Sequence, residues 1–436
     1  MKFVNKIKLL KDGYKSKKVY IAGILVFYEI KNVFRRKLSI FGIPFISYKN
    51  KLYKKDHIYE NLKDFISYLE KQNLIDLKKN ILWIDHTYGG GTETYSQNKF
   101  SELKIKFNFI RLQYNPSFDV YVISIPNKSV VYALDLESVS NLIYKVDWYE
   151  ICVNSFVGWK DTLEFIKLIS QYKKYCFKTK VSFRCHDYYA ICPSYNLLNC
   201  DKTFCNLSYP NGCSNCIEKI KLENKKNNDT MLLKESVDFD MWKKSWNAFF
   251  QNTVDEATVF SQSSKELLLR AYPILKKKIN IIPHNTEQLP IVKIDKHKNI
   301  NIAVLGNMSA FAKGGEVLRK MCELNADPLL KFFVIGTYKK PPKGLIVSGK
   351  YNTKELPKLI KKYEIDLVFI SSVCPETFSY TTSEAMNMNI PVACYNFGAP
   401  AERVSMYKYG LILTEINPQK NLYEIRYFVE KCRMQS

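Results

Sequence analysis

The sequence contains no apolar run long enough to span a bilayer. The apolar stretch of residues 19–30 is interrupted by Glu29 and falls short of the roughly 20 residues that a membrane helix needs. It also lacks a small-residue cleavage site, so it does not read as a secretory leader. The expected compartment is therefore the cytosol, where thiols stay reduced. Acidic residues are scarce: 42 Asp and Glu against 66 Lys and Arg leave a formal net charge of +24. Such an excess attracts polyanions, whether nucleic acid, anionic lipid headgroups or phosphorylated substrates, and does not choose among them. The composition is not that of a disordered chain, because 30 Tyr and 26 Phe accompany an ordinary apolar content. At 436 residues the chain is long enough for roughly two to three domains with proper cores.

Short apolar runs separated by polar, helix-spaced stretches organise most of the chain. Runs at 80–85, 120–125, 130–134, 149–153 and 181–185 read as strands, and residues 159–172 have helical spacing. After a linker at 283–299 the pattern recurs at 300–305, 332–335, 366–370 and 391–395, with helices between. Strands alternating with helices predict an α/β class with parallel sheets, here two Rossmann-like domains facing across a cleft. The expected division is a basic, aromatic N-terminal extension (1–75), a first Rossmann-like domain (76–286), a second (287–415) and a C-terminal helix (416–436). The extension reads either as a small accessory element or as a surface for anionic lipid. A Cys-, Asn- and Pro-rich insertion at about 188–232 interrupts the first domain. Six of the 12 Cys fall between Cys185 and Cys216, and Cys213 and Cys216 form a CxxC, a common half of a zinc site.

The most informative run is PETFSYTTSEAMNMNIPVACYNFGAPAERV, residues 375–404. It lies between two apolar runs, so a loop leads into a helix whose first N–H groups and dipole suit a phosphate. The run resembles the signature of glycosyltransferase family 4, with two Glu separated by seven residues, a small-residue helix, a Pro-Val strand and a Gly-containing turn ending in Glu. The resemblance implies the GT-B fold and retaining transfer of a hexosyl-type group from a nucleotide sugar. In that reading Glu376 contacts the transferred sugar, Glu384 holds the ribose, and the Phe378, Ser379 and Tyr380 backbone meets the diphosphate.

Three other segments follow the family's order. Gly90 and Gly91 resemble its first strand-to-helix loop. Gly306 and Lys313 follow the first strand of the second domain, where Lys313 would neutralise the leaving diphosphate. The family usually places an Arg directly after that Gly, whereas this chain has Asn307. His186 and Asp187 resemble a His-Asp pair facing the donor sugar, with Asp187 orienting the imidazole. The Cys insert resembles that of a subset of these enzymes, which implies Cys192, Cys205, Cys213 and Cys216 as a structural zinc tetrad. No cofactor is expected for catalysis. The expected partners are a nucleotide-sugar donor, a glycan or lipid-linked acceptor of lipopolysaccharide or capsule type and an anionic membrane surface, with no nucleic acid. The expected location is the cytoplasm, peripheral to the inner face of the cell membrane. Two other readings stand beside this one: a nucleotide-sugar 2-epimerase of the same fold, and a basic nucleic-acid-binding protein with a zinc knob.

Overall fold

A computed structural model describes residues 3–9, 15–21, 24–31, 35–40, 43–49, 64–67, 69, 79–126, 129–133, 135–227 and 237–435. The chain forms two compact units, one of residues 1–184 and 223–256 and the other of residues 185–222 and 257–436. The expected α/β class holds, with two mainly parallel sheets. Among the described residues no helix is long and apolar enough to cross a membrane.

The first unit opens with a five-stranded antiparallel meander: β1 (Phe3–Leu9), β2 (Lys15–Ile21), β3 (Ile24–Lys31), β4 (Arg35–Ile40) and β5 (Ile43–Lys49), paired in sequence order. Residues 1–2, 10–14, 22–23, 32–34, 41–42, 50–63, 68 and 70–75 of the expected extension lie outside the described residues. Next come β6 (Lys79–His86), β7 (Phe107–Asn115), β8 (Val120–Ile125), β9 (Ser129–Ala133), β10 (Glu150–Val153) and β11 (Lys180–Arg184). They stand in the order β11-β10-β6-β7-β8-β9, parallel as far as β7 and antiparallel beyond it. The seven residues after Lys79 in β6 are all buried, as befits a parallel strand covered on both faces. The helix Phe239–Asn252 begins on an Asp238 cap, whose side chain accepts the Asp240 and Met241 N–H groups. Its Trp242, Trp246, Phe249 and Phe250 recur at i, i+4, i+7 and i+8, a one-face stripe. Trp246 and Phe250 of this stripe meet Phe183 at ring distances of 6.0 and 5.0 Å.

Where β6 ends, a buried polar network replaces apolar packing. Asp85 accepts Arg111 Nη2 at 2.7 Å and Ser96 Oγ at 3.0 Å, and Ser96 Oγ accepts Trp83 Nε1 at 3.0 Å. Arg111 also binds both oxygens of Glu93, at 3.1 and 2.5 Å. Burial opposes the charge on Glu93, but the guanidinium outweighs it and holds the carboxyl below its usual value. The network ties β6, β7 and the helix Gly91–Leu103 together around the Gly-rich turn.

The second unit contains β12 (Glu256–Val259) paired in parallel with β13 (Ile279–Ile281) from Ala257 onward, and the helix Gln262–Ala271 between them. Its main sheet is wholly parallel: β14 (Ile300–Asn307), β15 (Leu330–Thr337), β16 (Ile346–Val347), β17 (Leu367–Ile370), β18 (Val392–Tyr395) and β19 (Gly410–Leu413), in the order β16-β15-β14-β17-β18-β19. Strand side chains alternate between faces. Ile302, Val304, Leu367 and Phe369 join a cluster with Val317, Leu318 and Met321 of the helix Gly315–Leu324 and with Ile425 and Val429 of the helix Pro418–Gln435. Ala303, Leu305, Val368 and Ile370 face the other way, onto Leu356 and Ile360, Ala385 and Val404 of three further helices. In the order β15-β14-β17 the winding of the chain across the sheet reverses at β14, so the loops after β14 and β17 lie side by side at the carboxyl ends of the strands.

The Cys-rich insertion differs from its expected form in two ways. Residues 185–222 group with the second unit, because Leu198 sits in the cluster around Met308, Val373 and Cys374. Its second part is a helix, Cys213–Asn227, rather than loop: Lys and Glu are good helix formers, and Cys216 and Ile217 bury one side.

The network around Asp85 generates a stability prediction. Arg111→Met should leave a buried carboxylate without its counter-ion and cost about 3–5 kcal/mol. Adding Asp85→Asn to it should recover part of that loss. Urea unfolding followed by tryptophan fluorescence reads both, and an unchanged midpoint for Arg111→Met would show that the network is not stabilising.

Candidate active site

The expected donor residues gather at the carboxyl ends of β14 and β17. The loop after β17 carries Glu376, whose side chain is only 10% exposed. Its Oε1 accepts Lys313 Nζ at 2.8 Å and the Ser372 hydroxyl. Burial works against the charge on Glu376, but Lys313, with help from Ser372 and Ser379, holds the carboxyl below its ordinary range. Burial likewise works against the Lys313 ammonium, and Glu376 outweighs it, keeping the lysine above its ordinary value. Residues 63 positions apart thus form one ion pair.

Two glycines let the backbones approach closely enough for this. Gly314 has φ +76°, and a Cβ there would lie 1.8 Å from the Ser371 carbonyl oxygen. Ser371 Oγ in turn donates to the Lys313 carbonyl at 2.8 Å. Gly398 has φ +71°, and a Cβ there would lie 2.7 Å from the Glu376 nitrogen. Gly306, at φ +103°, takes the left-handed backbone expected at the end of β14.

The helix Tyr380–Asn387 starts on Ser379, whose Oγ accepts the Thr382 N–H at 3.4 Å. Arg403 secures this start. Its Nη2 donates to the Ser379 carbonyl at 2.9 Å, its Nη1 donates to Ser383 Oγ, and its guanidinium lies 4.6 Å from the centre of the Phe378 ring. Burial pushes Arg403 down to about 10, which leaves it charged at neutral pH. It adds a second positive charge near Glu376.

Glu384 lies one turn into the same helix and is buried. Thr353 Oγ1 donates to its Oε1 at 3.3 Å, while its Oε2 is buried with no hydrogen-bond partner in the structure. Burial, reinforced by Glu287, raises its pKa. A buried carboxylate oxygen without a donor is costly and suits a ligand that brings one.

His186 and Asp187 also belong to this unit. The His186 carbonyl accepts Thr377 Oγ1 at 2.9 Å, which binds the start of the insertion to the Glu376 loop. Its imidazole lies against Phe260 at 4.5 Å and His284 at 5.2 Å. His284 also packs on Phe378 at 4.4 Å and Tyr380 at 5.2 Å. Asp187 Oδ1 accepts the Tyr189 N–H at 2.9 Å, so its carboxylate takes part in a backbone turn. Gly90 and Gly91 lie in the other unit. There Gly90 has φ +76°, the helix Gly91–Leu103 begins without a side-chain cap, and nothing lies within 4 Å of a Cβ built on Gly90.

Among the described residues no set of three or more His, Cys, Asp or Glu is placed to hold a metal ion. Cys216 Sγ instead accepts the Cys200 N–H at 3.2 Å, and Cys200 Sγ lies 3.0 Å from the Tyr209 hydroxyl. Burial pushes the Cys192 thiol up to about 11 and that of Cys216 up to about 12, and raises that of Cys205. Cys200 is a near neighbour of Cys216.

Sequence reasoning missed Arg403, Ser372 and Thr353. Each is a common polar residue with no motif of its own, and only the meeting of distant loops gives it a partner. His284 carried a weak signal, as a lone histidine just after a strand.

No curated protein matches the chain by sequence. Residues 265–435 match the model of the family Glycosyl transferases group 1. Among solved structures, a sucrose-phosphate synthase from Thermosynechococcus elongatus is 12% identical with a TM-score of 0.53, covering 81% of this chain and 90% of its own. Anabaena Alr3699/HepE, crystallised with UDP and glucose, is 13% identical with a TM-score of 0.51, covering 81% of this chain and 89% of its own. The lipopolysaccharide outer core galactosyltransferase WaaB, in its apo form, is 11% identical with a TM-score of 0.51, covering 81% and 90%. At these identities the likeness is one of fold: the chain has the GT-B fold of the glycosyltransferases, and its residues 265–435 match the group 1 family.

Proposed function

We propose that the chain is a glycosyltransferase that moves a sugar from a nucleotide-sugar donor to a glycan or lipid-linked acceptor of the cell surface, with retention of configuration. The observation that carries this reading is the convergence of Glu376, Lys313 and the Ser379-capped helix start at the carboxyl ends of β14 and β17. The group 1 match over residues 265–435 and the UDP and glucose bound by the similar HepE support it.

Each part has a role set by its chemistry. The helix N-terminus and the Phe378–Tyr380 backbone would meet the diphosphate. Lys313 would shift from Glu376 towards the leaving phosphate as charge builds there. Glu376, released from part of that pair, would face the sugar as positive charge develops. The unsatisfied Glu384 oxygen would accept a ribose hydroxyl. A front-face departure needs no protein nucleophile, because the leaving phosphate can take the acceptor proton. His186 would line the donor pocket by way of the Phe260, His284 and Phe378 rings.

The excess positive charge supports a further part of the proposal, attachment to the anionic inner face of the cell membrane. Attachment of that kind brings the enzyme to a lipid-linked acceptor.

Five outcomes test the reading. Glu376→Gln should lower turnover by roughly a hundredfold while changing the donor KM much less, because its charge matters most in the transition state. A donor incubated without acceptor should stay unchanged, and conversion to its 2-epimer would move the protein to the isomerases. Glu384→Gln should instead weaken nucleoside diphosphate affinity by roughly tenfold, the loss of a hydrogen bond to a charged acceptor. The pKa of Glu384 is raised in the free protein, so its carboxylate ionises, and wild-type affinity rises, as pH increases through that raised value. Calorimetry across mildly acidic pH should show this dependence, and should show it lost in Glu384→Gln. Finally, the protein should bind vesicles rich in phosphatidylglycerol and release as salt rises, since charges are screened beyond about 8 Å at 0.15 M. Binding that ignores salt would remove the electrostatic attachment.

A further inference from the structure

The amino edge of the first unit's parallel strands, opposite the Gly90 turn, carries a surface that the donor chemistry does not use. Here helices end and strands begin. The helix Gly91–Leu103 leads through residues 104–106 into β7, and the helix Thr162–Tyr175 leads through residues 176–179 into β11. Four large apolar side chains stand out of this edge. Ile105 is 78% exposed, Tyr175 79%, Phe177 72% and Tyr149, just before β10, 42%. Exposed apolar residues scattered singly are ordinary, whereas these are gathered. Phe107, two residues after Ile105, stacks on Tyr149 at 5.4 Å. Tyr149, Tyr175 and Phe177 together line a surface cleft of about 620 Å³.

Lysines frame these rings. Lys79 places its Nζ 4.4 Å from the centre of the Tyr149 ring, and Lys178 lines the same cleft. Lys106 and Lys174 adjoin Ile105 and Tyr175 in the chain. All four are exposed, and none of them forms an ion pair with a described residue. Asp147 is the one acid among the residues lining the cleft. Lys173 is different, because it serves the fold. Its Nζ donates to the Phe177 and Thr179 carbonyls at 3.1 and 2.7 Å and pairs with Asp255 at 2.9 Å. Thr179 Oγ1 donates to the Trp148 carbonyl at 2.8 Å. The loop is thus braced from within while the Phe177 ring stays outside. A helix C-terminus favours lysine, which accounts for Lys173 and Lys174, but it gives no reason for Phe177 or Ile105 to remain in water.

We propose that this amino edge is the surface by which the chain docks on an anionic bilayer. Ile105, Tyr149, Tyr175 and Phe177 enter the headgroup region, and the four lysines meet lipid phosphates. The inference rests on the membrane attachment proposed above and gives it a place on the molecule. Tyrosine and phenylalanine suit the boundary between headgroups and acyl chains, and lysines beside them are drawn to an anionic leaflet. Ile105 decides for a bilayer over nucleic acid: an exposed aliphatic side chain has nothing to offer a base edge or a phosphate, and gains only in a medium that takes up apolar groups. Docking here leaves the carboxyl edge of the same sheet, with its Gly90 turn, uncovered.

Cosedimentation of the full chain with phosphatidylcholine vesicles, with and without phosphatidylglycerol, tests this. The triple variant Lys79→Gln, Lys174→Gln, Lys178→Gln should weaken binding to the phosphatidylglycerol vesicles at low salt by at least about tenfold, since each lysine at an anionic leaflet is worth roughly a fivefold change. It should also flatten the salt dependence. The double variant Tyr175→Ser, Phe177→Ser should weaken binding by roughly tenfold and keep the wild-type salt dependence, because it removes apolar contact and no charge. Nucleoside diphosphate affinity should be unchanged in both. Lys331→Gln, Lys358→Gln, Lys361→Gln, which removes three exposed lysines of the second unit, should lose much less vesicle binding. Circular dichroism establishes that each variant is folded. Wild-type vesicle binding in both edge variants, or an equal loss in the second-unit triple, would overturn the docking surface and leave the attachment reading standing. So would a single-stranded RNA oligonucleotide whose binding the edge variants lose while vesicle binding persists. A wild-type chain that ignores phosphatidylglycerol vesicles would overturn the attachment reading, and the docking surface with it.

Discussion

Lys313 and Glu376 stand at the ends of neighbouring parallel strands, and their ion pair joins the two loops on which the second unit's site is built. A parallel sheet makes such a meeting unavoidable, because every strand delivers its following loop to the same edge. Bringing the two backbones together needs positions without a Cβ. Gly314 lets one loop touch Ser371, and Gly398 lets the next rest on Glu376. The pair is strong enough to keep both groups charged against the burial that opposes them. A site at rest in this way has its cation and its carboxylate already placed, and under the proposed function a donor diphosphate would compete for the lysine rather than recruit it from solvent.

The surrounding polar groups keep the loops in that arrangement. Arg403 grips the Ser379 carbonyl and covers the Phe378 ring, so the helix start that offers its N–H groups is fixed from behind. Glu402, its neighbour, accepts the Gln262 and Ser263 N–H groups at 3.1 and 3.0 Å and so caps another helix of the same unit. Consecutive residues of one short helix thereby brace two different helix starts. Glu384 differs from these braced groups in that one of its buried oxygens has no donor. It stands where a ligand would supply one.

The insertion shows how local composition and tertiary position differ in what they reveal. Its Cys density was visible and suggested zinc; that Cys216 would take the Cys200 N–H was not legible from the CxxC spacing. Its aromatic and basic residues, Phe204 and Lys202, carried no signal at all. They meet Phe311 and Phe397 only in the folded chain, where Leu198 sits in the core of the second unit.

The sequence by itself determined the α/β class, the approximate strands and the thirty-residue run from Pro375 to Val404. Strand periodicity, glycine turns and helix caps are local, so they can be read within a window of a few residues. The buried strands of the second unit, from Ile300–Asn307 to Val392–Tyr395, fall where their apolar runs predict. Only the tertiary structure decided that Lys313 would pair with Glu376, that Arg403 would hold Ser379, that the insertion would join the second unit, and that Glu384 would be buried with one oxygen open. Each of those outcomes depends on which strand lies beside which and on how deeply a side chain is covered, and neither quantity is carried by the spacing of residues along the chain.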